Sequence, residues 1–306
     1  RDVAVTGVQT CALPISFGDA CHNRGRHVFS ERADFGGKCD RFHRHSRTYV
    51  HIHIRSCRTL GVDSNSYRRR ANLQSGFLER WKNRMVNKSR SRCRTVIPLA
   101  TADEEHAGLT YAVGDIHGCL DVLRRLVQSL EAKSSDVFVF IGDYVDRGPD
   151  SKGVIDYLIA LSERYECHFI RGNHEQMFLD YLRREPGAMI WAYNGMERTL
   201  MSYGSLRAVP DCHIDFLNRT VYSYTIKKFV FVHAGVRPGI PLEEQEERDL
   251  LWIREPFLSN RNPIKGKTVI FGHTPQFGGP LIEKSKIGID TGCVYGGYLT
   301  AYRIED

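Results

Sequence analysis

Short apolar runs separated by glycine-rich polar stretches organise the chain beyond residue 109. The runs at 111–113, 137–141 and 167–170 have the length and residue types of buried strands. Apolar residues then recur at helical spacing, which predicts helices over 119–132, 154–164 and 176–184. Because strand and helix alternate, the pattern is typical of βαβ units in an α/β protein.

The pattern changes in the last third of the chain. Short apolar runs predict strands at 222–225, 229–232, 268–271, 287–289 and 298–303. Segment 191–217 has no regular period, and we expect an irregular cap over the strand ends with a turn at Asn194-Gly195.

Residues 1 to about 95 show no sustained period of 2 or 3.6, so we predict a disordered basic segment over 1–108 and one folded domain over 109–306. The opening fifteen residues are similar to translated adapter sequence. The alternative is therefore that the chain up to about residue 84 is a non-native translation and that Met85 is the true start.

The net charge of +7 hides a difference between the two parts of the chain. Residues 1–100 carry 20 Lys and Arg against 7 Asp and Glu, whereas the remainder carries 23 against 29. A basic run without a recognition motif is usually a solvated tail, so no nucleic-acid partner is expected.

Polar phrases follow each of the first three strands. They read GDIHG at 114–118, GDYVDRG at 142–148 and GNHE at 172–175. His233 and His273 stand at the ends of two later strands. Ligands bind at the carboxyl ends of strands in open α/β sheets, so these side chains are expected to converge. Mixed oxygen and nitrogen ligands suit Mn, Fe or Zn better than Ca or a thiolate-held ion.

In this order, the five motifs resemble those of the calcineurin-like metallophosphoesterases, and in particular their serine/threonine phosphoprotein phosphatase branch of bacterial and phage type. The resemblance covers the chain from about residue 109 to its end. It implies an α/β fold of two packed mixed β-sheets flanked by helices, a four-layer sandwich, with the metals at one end.

The resemblance also implies a site with two divalent ions, for which Mn is the expected metal and Fe or Zn the alternatives. Asp115 and His117 would hold one ion. Asn173, His233 and His273 would hold the other. Asp143 would bridge both, because two neighbouring cations need a shared anionic ligand.

Further roles follow from the same resemblance. A hydroxide bridging the two ions would attack phosphorus, while Arg147, Arg254 and Asn173 bind the phosphate. His174 would protonate the leaving oxygen, with Asp146 orienting it. Arg254 has an alternative role as a surface ion-pair partner of Glu255.

The implied activity is hydrolysis of phosphoserine and phosphothreonine monoesters in proteins, with small phosphoesters as further substrates. The alternative is a symmetrical dinucleoside tetraphosphate hydrolase, whose C-terminal pattern residues 289–297 resemble. Those enzymes typically carry Ala at the position of Asp146 and Asp at that of Glu175, so this chain favours the protein phosphatases. A metal-binding sensor without turnover is the other alternative, but all six expected ligands and His174 are present.

Nine cysteines form no Cys-x-x-Cys pair, which indicates a reducing compartment and hence the cytoplasm. The sequence contains no apolar run long enough to cross a bilayer, so no membrane partner is expected. No sequence feature specifies an oligomeric state.

Overall fold

The computed structural model describes residues 29–33, 39–45, 49–55, 99–102 and 108–304, with side chains described at 54, 55 and 108–304. Its strands, in chain order, are β1 (Phe29–Ala33), β2 (Cys39–His45), β3 (Tyr49–Arg55), β4 (Leu99–Ala102), β5 (Thr110–Val113), β6 (Val137–Phe140), β7 (Glu166–Phe169), β8 (Ser223–Ile226), β9 (Phe229–Val232), β10 (Thr268–Phe271), β11 (Leu281–Ile282), β12 (Lys286–Gly288), β13 (Asp290–Thr291) and β14 (Tyr298–Ile304).

Two mixed sheets are built from these strands. The first has the order β1-β2-β3-β14-β5-β6-β7, with β13 paired to β14, and the second has the order β11-β12-β10-β9-β8-β4. Strands β5, β6 and β7 are parallel, and Val113 pairs with Phe140, which in turn pairs with Phe169. The three strands therefore end in line, and the polar phrases that follow them leave the sheet side by side.

Alternate residues of the central strands face two different cores, because successive side chains of a strand point to opposite faces. On β6, Phe138 and Phe140 pack under the helices, whereas Val139 packs between the sheets. On β9, Phe231 packs between the sheets and Val232 faces the opposite side. Strands buried on both faces consist of continuous apolar residues, which explains why the apolar runs in the sequence predicted them.

Six α-helices cover the outer faces of the sheets in the described part of the chain. They are α1 (Leu120–Ser129), α2 (Ser151–Ser162), α3 (Asn173–Arg183), α4 (Met196–Tyr203), α5 (Asp211–Arg219) and α6 (Glu247–Trp252). Helices α1, α2, α3 and α5 pack on the first sheet, and α6 packs on the second. The arrangement confirms the predicted fold of two mixed sheets flanked by helices.

Helix α3 begins at Asn173, three residues earlier than predicted. Gly172 precedes it in extended conformation, and Glu175 accepts the Gly172 N–H at 2.9 Å from within the first turn. This bond satisfies an N–H group at the start of the helix. Asn173 and His174 therefore lie on the first turn of a helix instead of on a free loop.

Segment 191–217 is regular for much of its length, so the predicted irregularity is wrong, whereas the predicted turn at Asn194-Gly195 is present. A 3₁₀ helix spans Ala188–Tyr193, and α4 and α5 follow it. Helix α4 is eight residues long and lies between Gly195 and Gly204, both with positive φ. Elements this short show too few apolar repeats for a helical period to be recognised.

Four strands, β1 to β4, lie within residues 1–108, for which the sequence predicts disorder. Residues 49–55 alternate apolar and polar positions, and they pair along their full length with β14, from Tyr49 opposite Ile304 to Arg55 opposite Tyr298. Ile54 is 1% exposed and joins the core under the helices. Pairing satisfies the open N–H and C=O groups of the β14 edge. Met85 lies outside the described residues, and the domain boundary at 108/109 stays a prediction.

Candidate metal centre

The loops after the strands hold five of the predicted site residues in the left-handed backbone region. The φ angles are 46° at His117, 52° at Asp143, 71° at Asp146, 67° at Arg147 and 61° at His273. Non-glycine residues rarely adopt this conformation, and clusters of such residues mark functional sites at which the surrounding structure over-determines the backbone.

Two glycines bring neighbouring loops close to the site carboxylates. A Cβ atom on Gly172 would lie 2.2 Å from Oδ1 of Asp143, and one on Gly272 would lie 2.0 Å from Oδ1 of Asp115. Both distances are far below van der Waals contact, so only glycine fits at these positions.

Asp143 lies at the centre of the site. Its Oδ2 is 3.3 Å from Nε2 of His117, and its Oδ1 is 3.4 Å from Nε2 of His233. Burial disfavours the ionised form of Asp143, but the surrounding His233, His174 and His117 outweigh it and hold its pKa well below the usual value. Asp143 is therefore an anion at neutral pH, as a ligand shared between two cations has to be.

Two groups of potential metal ligands share this carboxylate. One consists of His117, Asp143 and His174, and the other of Asp143, His233 and His273. Within each group the ligand atoms lie within 4.8 Å of one another. Imidazole and carboxylate donors in two adjoining clusters suit a pair of transition-metal ions.

The tautomers of two histidines strengthen the fit to metal. His117 Nδ1 lies 2.9 Å from the carbonyl of Val145, and His233 Nδ1 lies 2.9 Å from that of Ile141. A carbonyl only accepts, so each Nδ1 must donate, and in the neutral imidazole each Nε2 then carries a lone pair. Both Nε2 atoms face oxygen atoms of Asp143. Lone pairs that converge in this way repel one another unless a cation lies between them.

Asn173 connects the second group. Its Oδ1 lies 2.8 Å from Nε2 of His233 and 3.0 Å from Nδ1 of His273. The structure therefore brings together all three residues predicted to hold the second ion. Burial lowers the pKa of His273 well below its usual value and the charge of Arg254 lowers it further, so its ring is neutral and able to bind metal.

Asp115 lies beside the site but outside both groups. Its Oδ2 accepts the backbone N–H of His273 at 3.0 Å. Burial raises the pKa of Asp115, and the nearby carboxylates of Asp290 and Asp143 raise it further. His174 also lies close to His117 and Asp143.

His174 and Asp146 form a buried pair. His174 Nδ1 lies 2.7 Å from Oδ2 of Asp146, and neither side chain is exposed. Within the described residues His174 Nε2 has no hydrogen-bond partner, and it lies 3.9 Å from Oδ2 of Asp143. The arrangement gives a histidine that is anchored at one nitrogen and directed into the site with the other.

The two predicted phosphate-binding arginines differ in their surroundings. Arg147 Nη1 lies 2.7 Å from Nε2 of His117, and its guanidinium lies 5.8 Å from the centre of the Tyr295 ring. Arg254 is exposed, close enough to His273 to affect its pKa. The carboxylate of Glu255, its alternative partner, accepts the Ser259 hydroxyl at 2.7 Å.

A comparison with known families agrees with this geometry. The sequence profile of the calcineurin-like phosphoesterases matches residues 109–296. This chain belongs to that family. It is therefore a metal-dependent phosphatase, as the motif order predicted.

Its relatives differ in their substrates. Serine/threonine-protein phosphatase 1 of Salmonella typhimurium is 33% identical over 64% of this chain and 91% of its own length. The asymmetrical bis(5'-nucleosyl)-tetraphosphatase PrpE of Oceanobacillus iheyensis is 27% identical over 63% of this chain and 88% of its own. A solved structure of a candidate diadenosine tetraphosphatase is similar with a TM-score of 0.54 and 26% identity, covering 67% and 92% of the two chains.

Membership of the family agrees with the metal-ligand clusters. The His and Asp clusters provide for divalent ions, the cofactor that the family implies. Across the described residues, no helix combines the length and apolarity that a bilayer crossing requires.

Four residues with evident structural roles at the site were missed as site residues in the sequence. Glu175 accepts four backbone N–H groups, Trp191 and Thr199 bond to Asp146, and the buried Asp290 lies close enough to raise the pKa of Asp115. Glu175 and Asp290 lie in the motifs at 172–175 and 289–297, which served to compare the two substrate classes. Their position in these motifs could have identified them as site residues. Trp191 and Thr199 lie in a segment without a motif, and only tertiary packing reveals them.

A cavity of about 790 Å³ lies at the other ends of the strands of the second sheet. Its lining includes Lys228, Lys267 and Ser285, which directly precede β9, β10 and β12. None of the predicted site residues lines it. The metal centre is recognised by its converging ligands and not by the size of a cavity.

Proposed function

We propose that this phosphatase hydrolyses phosphoserine and phosphothreonine monoesters, with small phosphoesters as further substrates. The observation that carries the proposal is the buried pair of Asp146 and His174, with His174 Nε2 directed into the site. A serine or threonine alkoxide is a poor leaving group and needs a proton as the P–O bond breaks. A terminal nucleotide of a polyphosphate leaves as a stabilised anion and needs this proton much less.

The remaining roles in the proposal belong to this chain's own residues. Asp115, His117, Asp143, Asn173, His233 and His273 would hold two divalent ions, and Asp115 also accepts the backbone N–H of His273. When bound, such ions lower the pKa of coordinated water and neutralise charge on the phosphate. Arg147 and Arg254 would bind the phosphate oxygens through their planar forks. Mn is the proposed metal, and the cytoplasm the proposed location.

Relatives support the proposal at the level of substrate class. The Salmonella typhimurium protein that is 33% identical is named a serine/threonine-protein phosphatase. Asp146 and Glu175 are the two residues at which the motifs resemble those of the protein phosphatases. Both are buried in this structure and take part in hydrogen bonds.

A second candidate function is hydrolysis of dinucleoside tetraphosphates. It is favoured by the relatives named tetraphosphatases and by an aromatic surface beside Arg147. The Tyr295 ring contacts the Arg147 guanidinium and also the ring of Phe277, which is 52% exposed. An exposed aromatic ring close to a phosphate-binding arginine offers a stacking surface for a nucleobase.

The test compares turnover of a phosphoserine peptide with that of diadenosine tetraphosphate by the Mn²⁺-loaded protein. We expect the larger kcat/KM for the peptide, loss of activity with a chelator and the best recovery with Mn²⁺. Asp143→Asn serves as the control for contaminating phosphatases. A larger kcat/KM for the dinucleotide would overturn the proposal and support the second candidate. Its products would then separate symmetrical cleavage, giving only ADP, from asymmetrical cleavage, giving ATP and AMP.

A further inference from the structure

The carboxylate of Asp146 is fixed by the cap, which we define as residues 188–203. Trp191 Nε1 donates to Oδ2 of Asp146 at 2.7 Å, and the Thr199 hydroxyl donates to Oδ1 at 2.6 Å. The same Oδ2 lies 2.7 Å from His174 Nδ1. All four residues are completely buried. Each oxygen of the carboxylate therefore has a partner on the cap, and one of them also holds His174.

The backbone of Asp146 is fixed in the same way. Its N–H lies 3.0 Å from the hydroxyl oxygens of both Ser151 and Thr199, and these two hydroxyls are 2.9 Å apart. Thr199 thus bonds to the main chain and to the side chain of one residue. The φ of 71° at Asp146 needs such support, because a non-glycine residue in this region is strained.

Other cap residues are bound to the same loop. A Cβ atom on Gly195 would lie 2.8 Å from the backbone nitrogen of Arg147, so the two backbones are in close contact. The Ser202 hydroxyl donates to Asp150 at 3.0 Å and accepts the Lys152 N–H at 2.9 Å. The cap and the loop from 146 to 152 form one hydrogen-bonded unit.

We propose that Trp191 and Thr199 are positioning residues for proton transfer, acting through Asp146 to aim His174 Nε2 at the leaving oxygen of the substrate. The inference rests on the proposed function. In that reaction a water oxygen bonds to phosphorus and gives up a proton to solvent, the bond between phosphorus and the leaving oxygen breaks with its electron pair on that oxygen, and the proton on His174 Nε2 moves there. Trp191 and Thr199 touch neither the substrate nor the reacting atoms.

The physical reason is that a hydrogen bond donated to only one carboxylate oxygen leaves the aspartate free to rotate about its side-chain torsions. With Thr199 and Trp191 in place, both oxygens are fixed and the imidazole plane is defined by them. Losing one donor also leaves a buried acceptor without its partner. A displacement of about 1 Å from a productive geometry costs up to about 100-fold in rate.

The test uses substrates that differ in their need for a proton. Thr199→Val keeps the shape of the side chain and removes the hydroxyl, and Trp191→Phe removes the indole N–H. We expect each to lower kcat on a phosphoserine peptide by about 10- to 100-fold and on nitrophenyl phosphate by less than about 3-fold. Bound metal should stay at the wild-type level. Thr199→Ser keeps the hydroxyl and should retain most of the rate on the peptide. Met201→Ala, at an exposed position of the same helix, should leave kcat unchanged on both substrates.

A double-mutant cycle separates positioning from a general structural effect. Thr199→Val should have almost no further effect on the peptide rate when His174 is already Asn, because the group that it positions is gone. Equal losses on both substrates, or losses that multiply in the double mutant, would overturn the inference. If His174→Asn itself lowers kcat equally on both substrates, the proposed role of His174 as a general acid is wrong. That outcome is distinguishable from one in which only the positioning role of Thr199 is wrong.

Discussion

Glu175 holds the backbone of Asp143 through a hydrogen bond of 2.8 Å from the Asp143 N–H to Oε2. The same carboxylate accepts the N–H groups of Tyr144 at 2.8 Å, Val145 at 3.2 Å and Gly172 at 2.9 Å. One buried side chain thus joins the loop after β6 to the start of α3. The residue at the centre of the metal site is positioned from the neighbouring loop.

This relationship predicts that Glu175→Gln destabilises the protein. An amide keeps one acceptor oxygen but presents an NH₂ group to backbone donors that need an acceptor. With buried donors left unpaired, we expect the free energy of unfolding to fall by about 2–4 kcal/mol, measured by urea denaturation. Glu185→Gln, at an exposed carboxylate, is the matched control and should change stability by less than about 0.5 kcal/mol. Equal effects of the two substitutions would contradict the role of Glu175.

Removing the shared anion should remove metal. Asp143→Asn replaces the charged ligand common to both groups of metal ligands with a neutral one. We expect the metal content, measured by mass spectrometry after dialysis, to fall from about two ions per chain to fewer than one, and turnover to fall by at least about 100-fold. Asp215→Asn, at an exposed position, should leave both unchanged. Retention of metal and turnover by the Asp143 variant would rule out a bridging role.

His174→Asn should affect substrates unequally. The side chain is anchored by Asp146 and presents an unpartnered Nε2 to the site, as a general acid requires. We expect a loss of about 10²- to 10⁴-fold on a phosphoserine peptide and a much smaller loss on nitrophenyl phosphate, whose leaving group needs no proton. Because His174 also lies in one group of potential ligands, the metal content must be measured in parallel. A parallel loss of metal would make His174 a ligand.

Asp146 should make stability fall with rising pH in the metal-free chain. Burial raises its pKa to about 7, against hydrogen bonds from Thr199 and Trp191 that lower it. Its usual value is 3.8, so between about pH 4 and pH 7 the folded chain holds a proton that the unfolded chain has lost. The free energy of unfolding then decreases as the pH rises.

Comparison with Asp146→Asn isolates this contribution. In the presence of a chelator, we expect the stability of wild type relative to the variant to fall by about 3 kcal/mol from pH 4 to pH 7. Urea denaturation at several pH values measures it. A difference that stays constant over this range would show that Asp146 is already ionised at pH 4 in the folded protein.

The sequence predicted much of the fold and the convergence of most candidate site residues. Particular strands explain why. Strands such as β6 are buried on both faces, so they appear as uninterrupted apolar runs with their ligands directly behind them. His233 and His273 follow β9 and β10 in the same way. These side chains converge because neighbouring parallel strands end in register.

What the sequence did not reveal depends on contacts between distant segments. The bonds of Trp191 and Thr199 to Asp146 join positions 45 and 53 residues apart. No local period marks such partners. Strand β3 was missed for a different reason, since its alternating pattern at 49–55 was present but was set within a long basic segment that lacks a period elsewhere.

Gly172 and Gly272 limit how this site can diversify. Because a Cβ atom at either position would collide with the carboxylate of Asp143 or Asp115, no side chain can be introduced there to reshape the substrate pocket. Variation compatible with the metal centre is left to peripheral positions such as the exposed Met189, Tyr193 and Phe277. A library designed to change substrate preference should therefore hold both glycines constant and randomise these three positions.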